Sequence, residues 1–386
     1  MAEPYWYLRQ LKNNWAIDEN TTNRFDLPEQ GALSGLLINL TTTNEADLSS
    51  YDDPYFVERI SKLRIVGNGN YPIVDLMGKM VHAMNFWDRG SMSLDGLSTV
   101  DTENQSQYIY IPFGRYLGDP DYGLWLEKFG TGVQWEETNN ISTTYFGDGD
   151  SKVSIYALMR KNPEAELFSQ GFLRKRQIIK KDAASETKYA VKCQTDNKLR
   201  QIHLFSEPTV ASGVLSTTCF TLTQYLFLSI KSKAEYLLDN VLTSDWARFI
   251  HDYAERRART SVRFRGGAAG SYYDTCIAEK VTGSLQHMSA NAYFDTTTTS
   301  TDQTQYQQIY QFLHDGTAAT SMWCRMTSEG ILLHGDIPLL TLKPDAPESE
   351  WLDAKENKDV YVEVTEGSSS GNWYIVLDEL QKDYPT

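Results

Sequence analysis

The sequence has few cysteines, and no two of them have the spacing of a metal or redox site. The 386 residues include only Cys193, Cys219, Cys276 and Cys324, which are far apart and form no C-x-x-C motif. We interpret them as structural residues, because a free thiol in an apolar strand behaves as a small hydrophobe. The N-terminal segment lacks the apolar run of a secretory signal, so we expect synthesis and folding in a reducing cytoplasm.

Long hydrophobic runs and an excess of basic charge are also missing. The apolar runs are far shorter than a membrane span, which predicts that no helix of this chain crosses a bilayer. The 36 Lys and Arg residues stand against 51 Asp and Glu residues, and the net charge is −15. That balance disfavours direct nucleic-acid binding by the bulk of the chain, so any such contact has to be local.

No motif of a catalytic site appears in the sequence. It has no G-x-S-x-G elbow, no P-loop and no H-E-x-x-H pair, and its six histidines stand singly. The acidic pairs Asp119/Asp121 and Asp148/Asp150 could supply oxygen ligands to Ca²⁺, but turn residues are the simpler interpretation. We therefore predict a protein that is not an enzyme, with no catalytic residue, metal site or cofactor. A carboxylate pair for glycoside hydrolysis stays open, because its separation is spatial and is not visible in a sequence.

Two consecutive series of short apolar segments, typical of β-strands, fill most of the chain. Turn signals such as Gly67-Asn68-Gly69 separate the segments, because Gly and Asn adopt the positive φ that tight reversals need. Strands at this spacing predict an all-β chain of sandwiches or barrels. The predicted strands lie at residues 33–40, 60–66, 71–76, 108–113, 133–135 and 153–159, and then at 177–179, 189–193, 200–205, 224–230, 275–281, 321–326, 331–334, 360–364 and 373–377.

The opening strand has two faces of different character. Ser34, Leu36, Ile38 and Leu40 share one face, and the other face is more polar. Because side chains alternate along a strand, we predict that the face with Leu36 and Ile38 is buried.

Length and composition divide the chain into three parts. They are an arm at residues 1–23, a first domain at 24–163 and a second domain at 164–386 with longer loops. A helix is predicted near residues 244–259, with Ser244 as its N-cap, and residues 234–242 are expected to add a further helical turn. The apolar face of this helix is Trp246, Phe249, Ile250 and Tyr253, and its last turn is basic with Arg256, Arg257 and Arg259.

The arm carries the candidate contact residues. Residues 4–15 (PYWYLRQLKNNW) predict an amphipathic helix, because Pro4 suits a first helical position and Leu8, Leu11 and Trp15 fall on one face. We interpret this helix either as packed on its own domain or as a contact with an internal membrane or a neighbouring copy. The residues proposed for that contact are Trp6, Leu8, Arg9, Leu11, Lys12 and Trp15.

The order of these segments resembles that of a known family. Residues 25–40 (FDLPEQGALSGLLINL), 60–69 (ISKLRIVGNG), 108–117 (YIYIPFGRYL), 119–129 and 153–159 resemble the strands of double jelly-roll major capsid proteins of tailless icosahedral viruses and bacteriophages. The second half resembles another roll with a helical insertion, ended by a hairpin of residues 360–366 and 372–380.

This resemblance implies two consecutive jelly-roll sandwiches with a short helical insertion in the second. It also implies homotrimers that form pseudo-hexagonal capsomers, and a virion shell that often encloses a membrane. The implied partners are further copies of the chain, minor capsid or vertex proteins and an internal lipid membrane. Two alternatives stay open: a carbohydrate-binding or glycoside-hydrolysing sandwich, and a trimeric viral spike or receptor-binding protein.

Overall fold

The structure is a computed structural model that describes most of the chain. The described residues are 3–45, 56–90, 96–98, 102–141, 146, 149–182, 188–208, 225–232, 235–254, 258–266, 282–287, 293–295, 311–313, 322–330, 334–340, 343–357, 359–366 and 371–385. The predicted strand at 275–281, the side chains of Cys219 and Cys276, and the pair Arg256/Arg257 lie outside them.

The first half of the chain is built almost entirely of strands. Its elements are β1 (Tyr5–Ala16), β2 (Thr22–Asp26), β3 (Ala32–Thr43), β4 (Ile60–Gly67), β5 (Tyr71–Leu76), α1 (Gly78–Arg89), β6 (Leu97–Ser98), β7 (Asn104–Pro112), β8 (Leu124–Trp125), β9 (Val133–Asn139) and β10 (Lys152–Lys161), with 3₁₀ turns at Phe56–Arg59 and Leu126–Lys128.

These strands form the two sheets of a jelly roll. One sheet has the order β1-β10-β3-β7, and β2-β9-β4-β5 make up the other. Along the chain the long strands alternate between the two sheets, except that β4 and β5 pair with each other, and both sheets are antiparallel within this half. That strand order is the jelly-roll arrangement of two packed sheets.

The second half repeats the strand-rich pattern. Its elements are β11 (Phe172–Asp182), β12 (Lys188–Lys192), β13 (Lys198–Pro208), β14 (Tyr225–Ser232), β15 (Glu235–Leu242), α2 (Thr243–Ala254), β16 (Ala258–Gly266), β17 (Thr282–His287), β18 (Tyr293–Asp295), β19 (Gln311–Leu313), β20 (Met322–Gly330), β21 (Asp336–Pro338), β22 (Leu352–Asp353), β23 (Tyr361–Glu366) and β24 (Gly371–Gln381), with a 3₁₀ turn at Glu348–Glu350.

The same strand order recurs in this half. The orders β11-β24-β13-β21 and β12-β23-β14-β15 match those of the first half position by position. The residues between β15 and β21 form an insertion that contains α2 and β16 to β20. The predicted all-β fold of two consecutive jelly rolls is confirmed.

The predicted closing hairpin is wrong. Strand β23 pairs with β12 and β14, whereas β24 pairs with β11 and β13. The two strands belong to different sheets, so the chain connects one sheet to the other here and the strands do not form a hairpin. Because both kinds of connection use glycine and serine, the sequence pattern does not distinguish them.

The core of the first roll confirms the predicted register of β3. Leu36, Ile38 and Leu40 are buried, while Leu37 and Asn39 on the opposite face are partly exposed. The three leucine and isoleucine side chains belong to one cluster with residues of both sheets, including Ile65 and Trp135.

The two helices differ from the expectation in three ways. Helix α2 lies where it was predicted, but it ends at Ala254, and Arg259 belongs to strand β16. Residues 235–242 form strand β15 and not a helical turn. Helix α1 was missed, because its N-cap residue Met77 makes no side-chain cap bond and nearly every face of the helix is buried.

The predicted N-terminal helix is also wrong. Residues 5–16 form strand β1, which pairs with β10 along almost its whole length, from Tyr5 opposite Lys161 to Ala16 opposite Lys152. Irregularities after Gln10 and Lys12 break the strand alternation that would have revealed it. This part of the predicted arm is therefore a strand of the first roll.

Strands β5 and β11 join the two rolls. They pair in parallel, with Val74 opposite Lys175 and Asp75 opposite Arg176, so that one sheet of each roll continues into the other. Arg174 strengthens the junction, since its Nε donates to the carbonyl of Pro72 at 2.7 Å.

A buried ion network lies across the same junction. Arg200 of β13 donates from Nη2 to Asp88 of α1 at 2.7 Å and from Nε to Asp378 of β24 at 2.7 Å. Lys175 lies 3.5 Å from Asp378. Burial disfavours the charged form of Asp378, but the positive charges of Arg200 and Lys175 outweigh this effect and hold its pKa below the usual value. The network ties the helix of the first roll to three strands of the second, β11, β13 and β24.

Among the described residues, no helix has the length and apolar character needed to cross a membrane.

We predict that Leu36→Asp abolishes soluble expression, because it places an unpaired charge in the core of the first roll. The matched control is Leu37→Asp on the partly exposed face of β3, which should remain soluble. Soluble yield and circular dichroism measure the outcome, and a folded Leu36→Asp protein would show that the register is wrong.

We predict that Asp378→Asn lowers the free energy of unfolding at pH 7 by about 3–5 kcal/mol, because it leaves Arg200 and Lys175 without their shared carboxylate. The exposed Asp383→Asn is the control. Since the pKa of Asp378 is depressed in the fold, the difference should be full above about pH 4 and shrink as the pH falls through the lower folded value. Equal denaturation midpoints for the two variants would contradict the role of the network.

Glu137 should make the stability of the first roll depend on pH in the opposite sense. Burial raises its pKa to about 7, although hydrogen bonds from Asn23 and Asn139 act against this. Its contribution is present below about pH 4.5 and is lost as the pH rises through about 7. We predict that Glu137→Gln removes this loss, worth about 3 kcal/mol at most. Unfolding from pH 4 to 8 measures it, with the exposed Glu356→Gln as control, and parallel profiles would refute it.

Candidate functional site

Strand β1, which carries the candidate contact residues, lies at the end of its sheet. Its partner is β10, and no other described strand pairs with it. One row of main-chain donors and acceptors is therefore left for another partner. Such an edge is a template for pairing with a further chain unless something covers it.

The structure divides the six candidate residues into two groups. Trp6, Leu11 and Trp15 pack against their own roll: Trp6 contacts Phe168, and the ring of Trp15 meets that of Phe25 edge to face at 5.6 Å. The ammonium of Lys12 lies 4.6 Å from the centre of the Trp15 ring. These contacts hold β1 to the sandwich.

Leu8 and Arg9 form the second group and point to solvent. The side chain of Leu8 is 53% exposed, and that of its neighbour Tyr5 is 54% exposed. Arg9 is exposed and makes no ion pair with any described residue. The exposed side chains of β1 thus include both apolar groups and a positive charge.

A second exposed apolar surface lies on the other roll. The described residues expose eight large apolar side chains, and seven of these lie either on β1 or on β15 and α2. We call the second group the β15–α2 surface. Its members are Tyr236, Leu237, Leu242, Phe249 and Tyr253. Several exposed large apolar side chains on neighbouring elements are typical of a contact with another molecule.

The β15–α2 surface lies at a sheet edge, as β1 does. Strand β15 ends the order β12-β23-β14-β15, and among the described strands only β14 pairs with it. Along α2, Trp246, Phe249 and Tyr253 stack in succession with ring centres 5.6 Å apart. Trp246 is held to its own roll, since its indole N–H donates to the carbonyl of Pro338 at 2.9 Å.

Three of the six histidines, His82, His203 and His334, contact side chains that are far away in the sequence. Nδ1 of His82 lies 2.9 Å from Nε2 of His334, and Nδ1 of His334 lies 2.8 Å from Glu58. Nδ1 of His203 lies 2.9 Å from both oxygens of Asp336, whose pKa is raised by burial against the opposing effect of His203. Because the partners are far apart in the chain, no local pattern could have revealed these contacts.

The carboxylates of the acidic turn at Asp119 pair with an arginine side chain. Arg115 donates from Nε to Asp119 at 2.9 Å and from Nη2 to Asp121 at 2.6 Å. This supports the interpretation of both aspartates as turn residues. Asp148 lies outside the described residues.

Cys193 is buried and has a free thiol. Burial raises the pKa of this thiol to about 12. In the described part of the chain, no group of three or more His, Cys, Asp or Glu side chains has the geometry of a metal site.

The surface grooves have a polar lining. A groove of about 480 Å³ lies beside β3, and its walls include Asn14, Thr41, Glu103, Asp150 and Lys152. A second groove, of about 520 Å³, contains Trp351, but this tryptophan is only 5% exposed. Neither groove presents the exposed tryptophan platform expected of the carbohydrate-binding alternative.

The comparisons with known proteins give matches among solved structures only. No protein-family model matches the sequence, and no curated protein matches it. The crystal structure of the major capsid protein P2 from bacteriophage PM2 matches with a TM-score of 0.52 and 7% identity, covering 99% of this chain and 100% of that chain. The atomic structure of Sulfolobus Turreted Icosahedral Virus matches with a TM-score of 0.57 and 10% identity, covering 98% of this chain and 91% of that chain.

Because the sequence identity to these structures is so low, the likeness shows a shared fold and no more. The likeness runs over nearly the full length of the chain and of its neighbours, and the strand order of each half is that of a jelly roll. This chain therefore has the double jelly-roll fold that viral major capsid proteins share.

Proposed function

We propose that the chain is a major capsid protein that assembles as a homotrimer, and that the trimers tile an icosahedral virion shell. The observation that carries this proposal is the full-length likeness to a bacteriophage major capsid protein, in which both rolls and their order along the chain correspond. A match over one roll would be weaker support, because single jelly rolls serve many functions.

The distribution of charge supports a structural role. The charged side chains buried deepest in the described part of the chain include Arg200, Lys175 and Asp378, and these pair with each other at the junction of the rolls. They hold the second roll to the first through Asp88 of α1. We propose that the protein acts through packing and interface burial and catalyses no reaction.

The partners in this proposal are further copies of the chain and minor capsid or vertex proteins. An internal lipid membrane is a further partner, and the location is the virion capsid after synthesis in the host cytoplasm. Of the six candidate residues on β1, Leu8 and Arg9 are proposed to make the outward contact. Trp6, Leu11, Lys12 and Trp15 position the strand for it, because they pack on their own roll.

The proposal predicts the mass of the purified protein. The full chain should sediment at three times its chain mass of 44.0 kDa at micromolar concentration, because closed cyclic assemblies with large interfaces are stable in this range. Analytical ultracentrifugation measures this. A stable monomer would contradict the trimer, and a trimer present in only a few copies per purified particle would instead indicate a spike protein.

A further inference from the structure

The junction inside the chain defines how one roll meets the next. Strand β5, the fifth strand of the first roll, has an edge that the first strand of the second roll, β11, covers in parallel. Helix α1 directly follows β5 and crosses to the second roll, where Asp88 pairs with Arg200 and His82 contacts His334. The contact therefore has two parts, a strand pair and a buried helix.

The chain contains a second end strand followed by a helix, and a second opening strand at a sheet end. Within the described chain these two strands do not pair with each other. Strand β15 holds in the second roll the place of β5, and β1 holds in the first roll the place of β11. Both are end strands of their sheets, and neither has a second partner among the described strands. Helix α2 directly follows β15, as α1 follows β5.

The two helices differ in how far their side chains are exposed. In α1 the residues from Met80 to Trp87 are all buried, partly by the second roll. In α2, by contrast, the side chain of Tyr253 is 50% exposed, and that of Phe249 is 47% exposed. A helix in the place of α1 thus keeps an aromatic face that is about half exposed, with the ammonium of Lys343 5.9 Å from the centre of the Tyr253 ring.

The two uncovered strands are complementary in charge. Strand β1 contains Arg9 and Lys12 and no acidic residue, whereas β15 contains Glu235 and Asp239 and no basic residue. Within the described residues, none forms an ion pair with Arg9, Glu235 or Asp239. Both strands also expose large apolar side chains, including Leu8 on one and Leu237 on the other. Complementary charge at a shared apolar contact favours this pairing over contact between two identical edges.

We infer that the β15–α2 surface binds strand β1 of a second copy of this chain, and that this contact repeats between copies the junction that β5 and β11 make within one copy. The added strand continues the sheet of β15, as in other cases of strand addition. The aromatic face of α2 then packs on the first roll of the second copy.

The alignment of the two junctions sets the expected register. Tyr5 opens β1 as Phe172 opens β11, and each pairs with the last residue of the closing strand of its roll. Counted from there, Arg9 takes the place of Arg176, which lies opposite Asp75 of β5.

The aspartates of the two acceptor strands also correspond. Asp75 precedes α1, and Asp239 precedes α2, by three or four residues. In a parallel pair, Leu8 and Arg9 therefore lie beside Asp239 and Asn240 of the other copy, within about one residue.

The contact is heterologous, because β1 and β15 are different surfaces. Such contacts close into a ring when the rotations add up to a full turn, and otherwise extend as a filament. The inference rests on the proposed trimer, in which six successive roll-to-roll steps complete the turn. Three of these steps lie within chains and three lie between chains.

Cysteine crosslinking of the full-length protein tests the contact directly. Leu8→Cys combined with Asp239→Cys or with Asn240→Cys places two exposed thiols in one chain, and mild oxidation should link three chains covalently. The matched control is Leu8→Cys with Asp383→Cys, an exposed position near the turn between β4 and β5, which should stay uncrosslinked, as should the wild type. Non-reducing electrophoresis measures the result. A wild-type trimer without a crosslinked band in either variant would overturn the interface.

Charge reversal tests the contact between β1 and β15 independently of crosslinking. Arg9→Asp and Asp239→Arg should each raise the concentration at half assembly about tenfold or more, because each places like charges opposite each other. The double variant should recover most of this loss, and Lys128→Asp and Asp383→Arg, exposed positions on neither strand, serve as controls. A wild-type trimer whose assembly is unaffected by either single variant would overturn the inference alone and leave the β15–α2 surface to a different occupant. A monomeric wild-type chain would overturn both the inference and the proposed function.

Discussion

The parallel contact between β5 and β11 is the interaction on which the rest of the structure depends. A jelly roll leaves open edges at the ends of its sheets, and open edges favour uncontrolled pairing. Here one such edge of the first roll is covered by the first strand of the second, so the two sheets continue as one. Strands β1 and β15, which hold the places of β11 and β5 in their rolls, remain uncovered among the described strands and differ in character. The proposed head-to-tail contact between copies rests on that asymmetry.

The buried charges give this junction its specificity. A salt bridge removed from water contributes little net stability, but breaking one is expensive, since it leaves a buried charge unpaired. The contact of Arg200 with Asp378 lies within the second roll, whereas Arg200 reaches Asp88 on α1 only when the first roll is placed as it is here. The apolar cores of the rolls supply most of the stability, whereas this network selects the arrangement in which β5 and β11 meet. The proposed ring of six rolls would require such an arrangement, because an error in the angle between rolls would accumulate around the ring.

Local patterns predicted the parts of the fold that depend on local chemistry. The alternation at Leu36 and Ile38 predicted the buried face of β3, and Asn68 and Gly69, both at positive φ, form the expected turn between β4 and β5. Strand β1 was mistaken for a helix because bulges and the positive φ of Asn14 disturb its alternation. The junction, the histidine contacts and the equivalence of β1 with β11 depend on residues far apart in the chain, and periodicity carries no information about them.

The central claim is that the step between rolls is the same within a chain and between chains. A three-dimensional reconstruction of the purified assembly by electron microscopy tests it most directly. The account predicts a three-fold particle of six similar lobes, in which β1 of each chain lies beside β15 of its neighbour and the rotations within and between chains agree. A particle in which only one roll of each chain contacts its neighbours, or in which β1 faces solvent, would contradict it.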